Sequence, residues 1–138
     1  MSRYNPCPCA SKRFYHQCCQ QYHNGALPET AEKLMRSRYC AYAMGLVDYI
    51  VQTTHPDNPN WSADTDKWKA DITLFCRHTK FPGLRVESFE DGDERAYVTF
   101  TAFLTQGTQD ATFTEKSTFV KRDGRWFYLD GDMNEAKT

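Results

Sequence analysis

No stretch of this chain approaches the ~20 consecutive apolar residues that cross a bilayer, and Met1 to Pro8 hold no apolar core of a secretion signal. Both absences predict a cytoplasmic protein with no membrane partner. A strong net charge is missing too. Seventeen basic and 18 acidic residues leave −1, so no global field draws the chain to nucleic acid or an anionic surface. There is no Gly-rich phosphate loop, no Ser-His-Asp order and no His-Glu-x-x-His, which removes the best-marked nucleotide-binding and hydrolytic classes. Internal repeats and low-complexity tracts are absent as well.

What remains is a length of 138 residues, suited to one domain with a short appendage, and an unusual share of rings, 14% aromatic, which predicts a core or pocket built from large side chains. Charge is uneven locally. Residues 1–19 hold Arg3, Lys12 and Arg13 and no carboxylate, whereas Glu87, Glu90, Asp91, Asp93 and Glu94 crowd one later stretch.

Four of the six cysteines fall within thirteen positions, as Cys7-Pro8-Cys9 and, eight residues later, Cys18-Cys19. Four thiolates at tetrahedral positions, with bonds of ~2.3 Å, make a closed structural zinc site, and iron competes because the same geometry serves it. Pro8 lowers the chain entropy lost on closing round the metal. Thiolates around a divalent ion leave −2, which Arg3, Lys12 and Arg13 offset; the three are the candidate partner-binding residues. The alternative is two disulfides or unrelated thiols. Adjacent Cys18 and Cys19 pair only under strain, and a cytosolic disulfide is unusual. Residues 1–22 are short of aliphatic side chains, so this knuckle is expected to unfold without metal while 30–132 holds as a domain.

Thr30 reads as the N-cap of a helix running to about Met44 before Gly45, with Leu34, Met35, Tyr39 and Tyr42 on its inner face and Arg38 close to it. Leu46–Thr53 reads as a second short helix and Asp64–His78 as a third, stopped by Phe81-Pro82-Gly83. The period then changes. Leu84–Phe89, Arg95–Leu104, Thr112–Lys121 and Arg125–Asp130 read as strands, with Asp123-Gly124 as a hairpin signal. Helices followed by a meander predict an α+β fold, helices packed on a curved antiparallel sheet that encloses an aromatic cavity.

Alternation puts Phe113, Glu115, Ser117 and Phe119 on one face of a strand and Trp126, Tyr128 and Asp130 together on the next, with Phe100 beside them. Arg38, Tyr42, Phe100, Ser117, Trp126 and Tyr128 are therefore the candidate pocket residues. A carboxylate among rings must be paired or protonated. Two readings of Glu115 stand: a structural bridge to Arg38, or else Arg36, and an acid or base assisted by His55 or Tyr39. His16 and His23 flank the cysteines, and Cys40 and Cys76 lie inside helices as core residues.

Asn5-Pro6-Cys7-Pro8-Cys9-Ala10-Ser11 through Cys18-Cys19 resembles the SEC-C motif, the metal-binding tail of the bacterial translocation ATPase, although the usual Gly-Ser-Gly after the second cysteine is here Ala10-Ser11-Lys12. Leu34 to Tyr42, Glu115 to Phe119 and Gly124 to Gly131 resemble the YchJ family, which joins that motif to an NTF2-like domain. The resemblance implies an NTF2-like cone behind a small N-terminal metal knuckle, and no particular enzymatic activity. In the ATPase the related tail contacts an export chaperone and the ribosome. The expectation is a zinc-binding accessory or adaptor protein whose knuckle docks a protein or the ribosome, in export or translation. The alternative is a protein or enzyme that takes a small ligand in its cavity, with Glu115 as acid or base.

Overall fold

In the computed structural model, which describes residues 5–133, a short 3-10 turn at Tyr15–Gln17 leads into α1 (Gln20–His23), α2 (Ala31–Met44), α3 (Val47–Gln52) and α4 (Thr65–Arg77). Their ends have local causes. The Thr30 side chain accepts from Lys33 N–H at 3.2 Å, and Gly45 closes α2 at φ 71°, a conformation that a side chain would oppose. Asp64 caps α4 in the same way, accepting from Lys67 N–H at 3.2 Å.

Five strands follow: β1 (Lys80–Glu90), β2 (Arg95–Gln106), β3 (Gln109–Asp110), β4 (Phe113–Arg122) and β5 (Arg125–Asp132). They form one antiparallel sheet in the order β1-β2-β4-β5, with the two-residue β3 also pairing with β2. Asp123 (φ 53°) and Gly124 (φ 79°) both take positive φ, as the expected type I′ hairpin requires. Register shifts in β1 and between β4 and β5 bend the sheet around the helices.

One expectation fails. Phe81-Pro82-Gly83 does not merely stop the helix but lies inside β1. β1 is an edge strand, so the N–H that Pro82 lacks costs no ladder bond, and the register slips between Lys80 and Gly83 to admit it.

Between α2 and the sheet lies the main core, where Leu34, Met35 and Tyr39 meet Val98, Phe100 and Phe119. A second cluster joins Ala41 to Ile50, Trp68 and Ile72 of α3 and α4. The chain leaving α3 is stitched to the outer edge of β5: Tyr128 N–H donates to Thr53 O and His55 N–H to Tyr128 O, each at 2.8 Å. That covers an edge otherwise open to pairing. Among the described residues no helix is long and apolar enough to cross a membrane.

Candidate metal centre and cavity

The knuckle is a tight loop closed by Cys7 N–H donating to Arg13 O (2.8 Å) and Tyr15 N–H to Asn5 O (3.1 Å). Its tip holds Ala10 at φ 64° and Lys12 at φ 71°. These are the two positions where the related motif carries glycine, so this chain keeps the left-handed turn and accepts a Cβ clash at each. The turn brings Cys7, Cys9, Cys18 and Cys19 together, their Sγ atoms all within 4.8 Å of one another. Cys9 and Cys18 sulfurs are 3.6 Å apart, and Cys18 and Cys19 4.0 Å. Four sulfurs each ~2.3 Å from a central ion lie about 3.8 Å apart. The donor set and its spacing therefore fit a tetrahedral metal, which would be held by these four thiolates and would supply a cross-link rather than chemistry. All six cysteines are free, so the disulfide alternative is not what the fold builds.

A fifth thiol belongs to this cluster. Cys40 of α2 is fully buried, with its sulfur 3.8 Å from that of Cys7. Cys40 is not one of the four ligands, so its S–H is placed to donate to the Cys7 sulfur. Ser11 Oγ, 3.2 Å from Cys18 Sγ, is placed to donate to that sulfur in the same way. The loop is then tied to α2. Arg36 Nη1 donates to Cys9 O at 2.8 Å while its Nε donates to Glu32 at 3.0 Å. His23 bonds Ser37 O through Nε2 (2.9 Å) and the Tyr15 hydroxyl through Nδ1 (2.8 Å). Burial lowers the His23 pKa, so the ring is neutral, with Nε2–H donating and Nδ1 accepting.

On the outer side of the knuckle, Lys12 and Arg13 are exposed, and Phe14 is 40% exposed with its ring stacked 6.0 Å from His16. Arg3, the third expected basic contact, lies outside the described residues.

The cavity between α2, α4 and the sheet has a volume of about 470 Å³. Arg38, Tyr39, Tyr42, Phe100, Glu115, Ser117 and Tyr128 all line it. Glu115 is held firmly. Ser117 Oγ and Tyr128 Oη (3.1 Å) both donate to its Oε2, and the carboxylate lies flat against Gly131 of the neighbouring strand, where any Cβ would fall on it. Burial first, and the Glu115 charge second, raise the Tyr128 pKa, which keeps that hydroxyl a donor.

The expected ion pairs do not form. Arg38 Nη1 is spent on Ile50 O (3.0 Å), Thr53 Oγ1 (2.7 Å) and Thr54 Oγ1 (3.0 Å) at the end of α3, with the guanidinium 4.7 Å from the Tyr128 ring centre. No Arg38–Glu115 bridge is among the salt bridges of the described residues, because the end of α3 offers Arg38 closer acceptors. Arg36 turns to the knuckle instead.

Four other residues sit differently from their sequence reading. His55 does not line the cavity; its Nδ1 accepts from Asp57 N–H at 3.0 Å and its ring packs on Phe127. The Tyr39 hydroxyl reaches the edge of the sheet, accepting from Gly83 N–H (3.0 Å) and facing Gly83 O (2.6 Å) and Phe103 O (3.2 Å). With burial also pushing its pKa up to about 12, it is a strut, not an acid. Trp126 shares the inner face but lies beyond the cavity, where its Nε1–H donates to Glu29 O at 3.3 Å under the connector before α2. Asp130, expected beside Tyr128, is exposed, because the register shift between β4 and β5 turns it outward.

Residues 30–131 match the family described as YchJ, middle NTF2-like domain. Two solved structures resemble nearly the whole chain. A SEC-C motif containing protein from Rhodopseudomonas palustris is 30% identical at TM-score 0.78, covering 93% of this chain and 98% of that one. Another from Psychrobacter arcticus is 28% identical at TM-score 0.77, covering 93% and 82%. An LEH-like epoxide hydrolase of M. tuberculosis, 17% identical at TM-score 0.51 over 79% of this chain and 91% of that one, shares the fold alone.

Proposed function

Because the chain belongs to the YchJ family, we propose that it is a zinc-binding accessory protein of the cytoplasm whose N-terminal knuckle docks an acidic macromolecular partner, in translation or protein export. The observation that carries this is the two-sidedness of the knuckle. Its inner side is consumed by α2, through Cys9 O on Arg36 and Cys7 on Cys40. Its outer side presents Lys12, Arg13 and the half-open ring of Phe14, and no carboxylate occurs in the sequence before Glu29.

Zinc suits four thiolates in a closed site without redox chemistry. Its role is to hold the backbone turn that spreads Lys12 and Arg13 outward. Ribosomal RNA is the most acidic surface available to such a patch, and each phosphate contact made by a basic side chain adds to the salt dependence of binding. Domain limits of 1–22 and 30–132 serve this division of labour, one part docking and the other carrying.

Co-sedimentation of the metal-loaded chain with purified ribosomes, at rising salt, tests the reading. Binding should weaken steeply with salt, flatten when Arg3, Lys12 and Arg13 are all changed to Gln, and fall away in Cys18→Ser. Sedimentation indifferent to both changes would overturn it.

A further inference from the structure

Docking through the knuckle leaves the cavity unused, yet the cavity is built to a pattern. Its volume of about 470 Å³ falls in the range of small-molecule sites, roughly 300–1,000 Å³. Tyr42, Trp68, Phe75, Phe81, Phe100 and Phe113 supply an apolar wall. Rings pack edge to face along it, Phe75 against Phe81 at 6.1 Å and Phe100 against Phe113 at 6.0 Å, so the wall is stiff.

At the polar end, two groups are half-used. Ser117 and Tyr128 both donate to Oε2 of Glu115, and Oε1 receives no donor among the described residues. Likewise Nη1 of Arg38 makes all three of that side chain's hydrogen bonds, which leaves Nε–H and Nη2–H without an acceptor among the described residues. Arg38 is only 8% exposed, and both residues line the cavity. Gly131 fixes the carboxylate from behind. An open acceptor and open donors thus share the neighbourhood of Tyr128, one bonded to its hydroxyl and the other over its ring face.

Their charges also decide. Asp71 lines the cavity too, but it is exposed at the rim and paired with Lys67 at 3.2 Å. At the polar end one positive and one negative group, both held in place, cancel, so a charged ligand would gain from one and be opposed by the other in a medium of low dielectric. A cation meets a further obstacle, because the Tyr128 face is already taken by the Arg38 guanidinium.

We propose that the cavity binds a neutral, ring-bearing small molecule with an O–H or N–H donor for Glu115 Oε1 and a lone pair for Arg38, the chemistry of a phenol or a lactam heterocycle. The rings set affinity and the Glu115–Arg38 end sets orientation and choice. A ligand lacking the donor leaves the carboxylate oxygen desolvated and unpaired, which a binding site penalises more than it rewards the contact.

The test is titration of the full, metal-loaded chain at neutral pH with 2-naphthol, 2-methoxynaphthalene and 2-naphthoate, followed by fluorescence or NMR. Saturable binding of 2-naphthol, about tenfold tighter than either analogue, supports the proposal. In Glu115→Gln the carboxamide turns a donor toward the ligand, and the advantage over the methyl ether should drop below about threefold. Phe75→Ala removes a ring that is 37% exposed at the rim, so it leaves the fold intact and should weaken all three probes together without changing their order. That arm keeps the test decisive if Glu115→Gln does not fold. No saturable binding, a preference for naphthoate, or an unchanged ranking in Glu115→Gln would each overturn the proposal.

Discussion

Arg38, buried, and Glu115, half-buried, lie in one network without touching, and a double-mutant cycle measures how far that matters. Arg38→Met keeps the volume and removes three charge-assisted hydrogen bonds, to Ile50 O, Thr53 Oγ1 and Thr54 Oγ1. Nη1 has two hydrogens to share among these three acceptors, so at about 1.5–3 kcal/mol per hydrogen the simple sum is roughly 3–6 kcal/mol. The acceptors are not orphaned, however. Thr54 Oγ1 donates to Ile50 O and Thr53 Oγ1 to Tyr49 O, each at 2.8 Å, and both bonds survive the change. Removing the buried guanidinium also removes its desolvation cost. The expected loss is about 3 kcal/mol. Glu115→Gln keeps the shape and leaves the carbonyl to accept from Ser117 and Tyr128, so about 1 kcal/mol is expected. Because the charges meet only through Tyr128, the coupling term should stay below about 1 kcal/mol. Urea melts of the metal-loaded single and double variants measure all three values. A coupling near 3 kcal/mol, or a Glu115→Gln loss of ~3–5 kcal/mol, is the signature of a direct buried bridge and would refute this account.

Four further outcomes are expected. Metal analysis of reduced protein should give one ion per chain, lost in Cys7→Ser and in Cys18→Ser. Cys40→Ala should keep that stoichiometry but lose metal to a chelator about tenfold faster, since it removes a donor to a ligand sulfur; unchanged release would make Cys40 mere packing. Ala10→Gly should stabilise the knuckle by about 1 kcal/mol, because φ 64° is strained for alanine and free for glycine, read as slower metal release. His23 carries a depressed pKa in the fold, so the unfolded chain binds the extra proton as acid is added. The stability it lends is whole above its ordinary value of about 6.5 and declines as pH falls below it. In His23→Gln, that part of the acid sensitivity in knuckle hydrogen exchange should vanish.

The parts legible in sequence were those whose signals are local. Thr30 and Gly45 bound α2 because capping and positive φ are decided by one residue each, and Asp123-Gly124 turns the last hairpin for the same reason. The cysteine cluster is local too, its ligands all within thirteen positions. What stayed hidden depends on contacts far apart in the chain. Cys40 lies 33 residues from Cys7, and helical period can put Cys40 on a face without saying what that face meets. Helical period ranks Arg38 ahead of Arg36 as the partner for Glu115, the two lying about 200° apart, without saying what either one meets. One reaches the knuckle and the other the end of α3. Pro82 reads as a breaker unless the strand is known to be an edge, which is a property of the sheet.

α2 explains why these separate features form one device. Arg36, Cys40 and Met44, four apart, make one face, and it meets the knuckle through Cys9 O and Cys7, with Met44 packed against the same cysteine cluster. Ser37 and Ala41 make a second, against Tyr49 and the α3–α4 cluster. Met35, Arg38, Tyr39 and Tyr42 make a third, which is a wall of the cavity. A helix enclosed on three sides has no need of a single apolar stripe, and this one carries two arginines and a buried serine within four residues of the core leucine Leu34. It also has no freedom to slide, since any shift that suits one face breaks hydrogen bonds on another. A metal in the knuckle would therefore restrain the helix that holds Arg38, even though none of the four cysteines that would hold it lines the cavity.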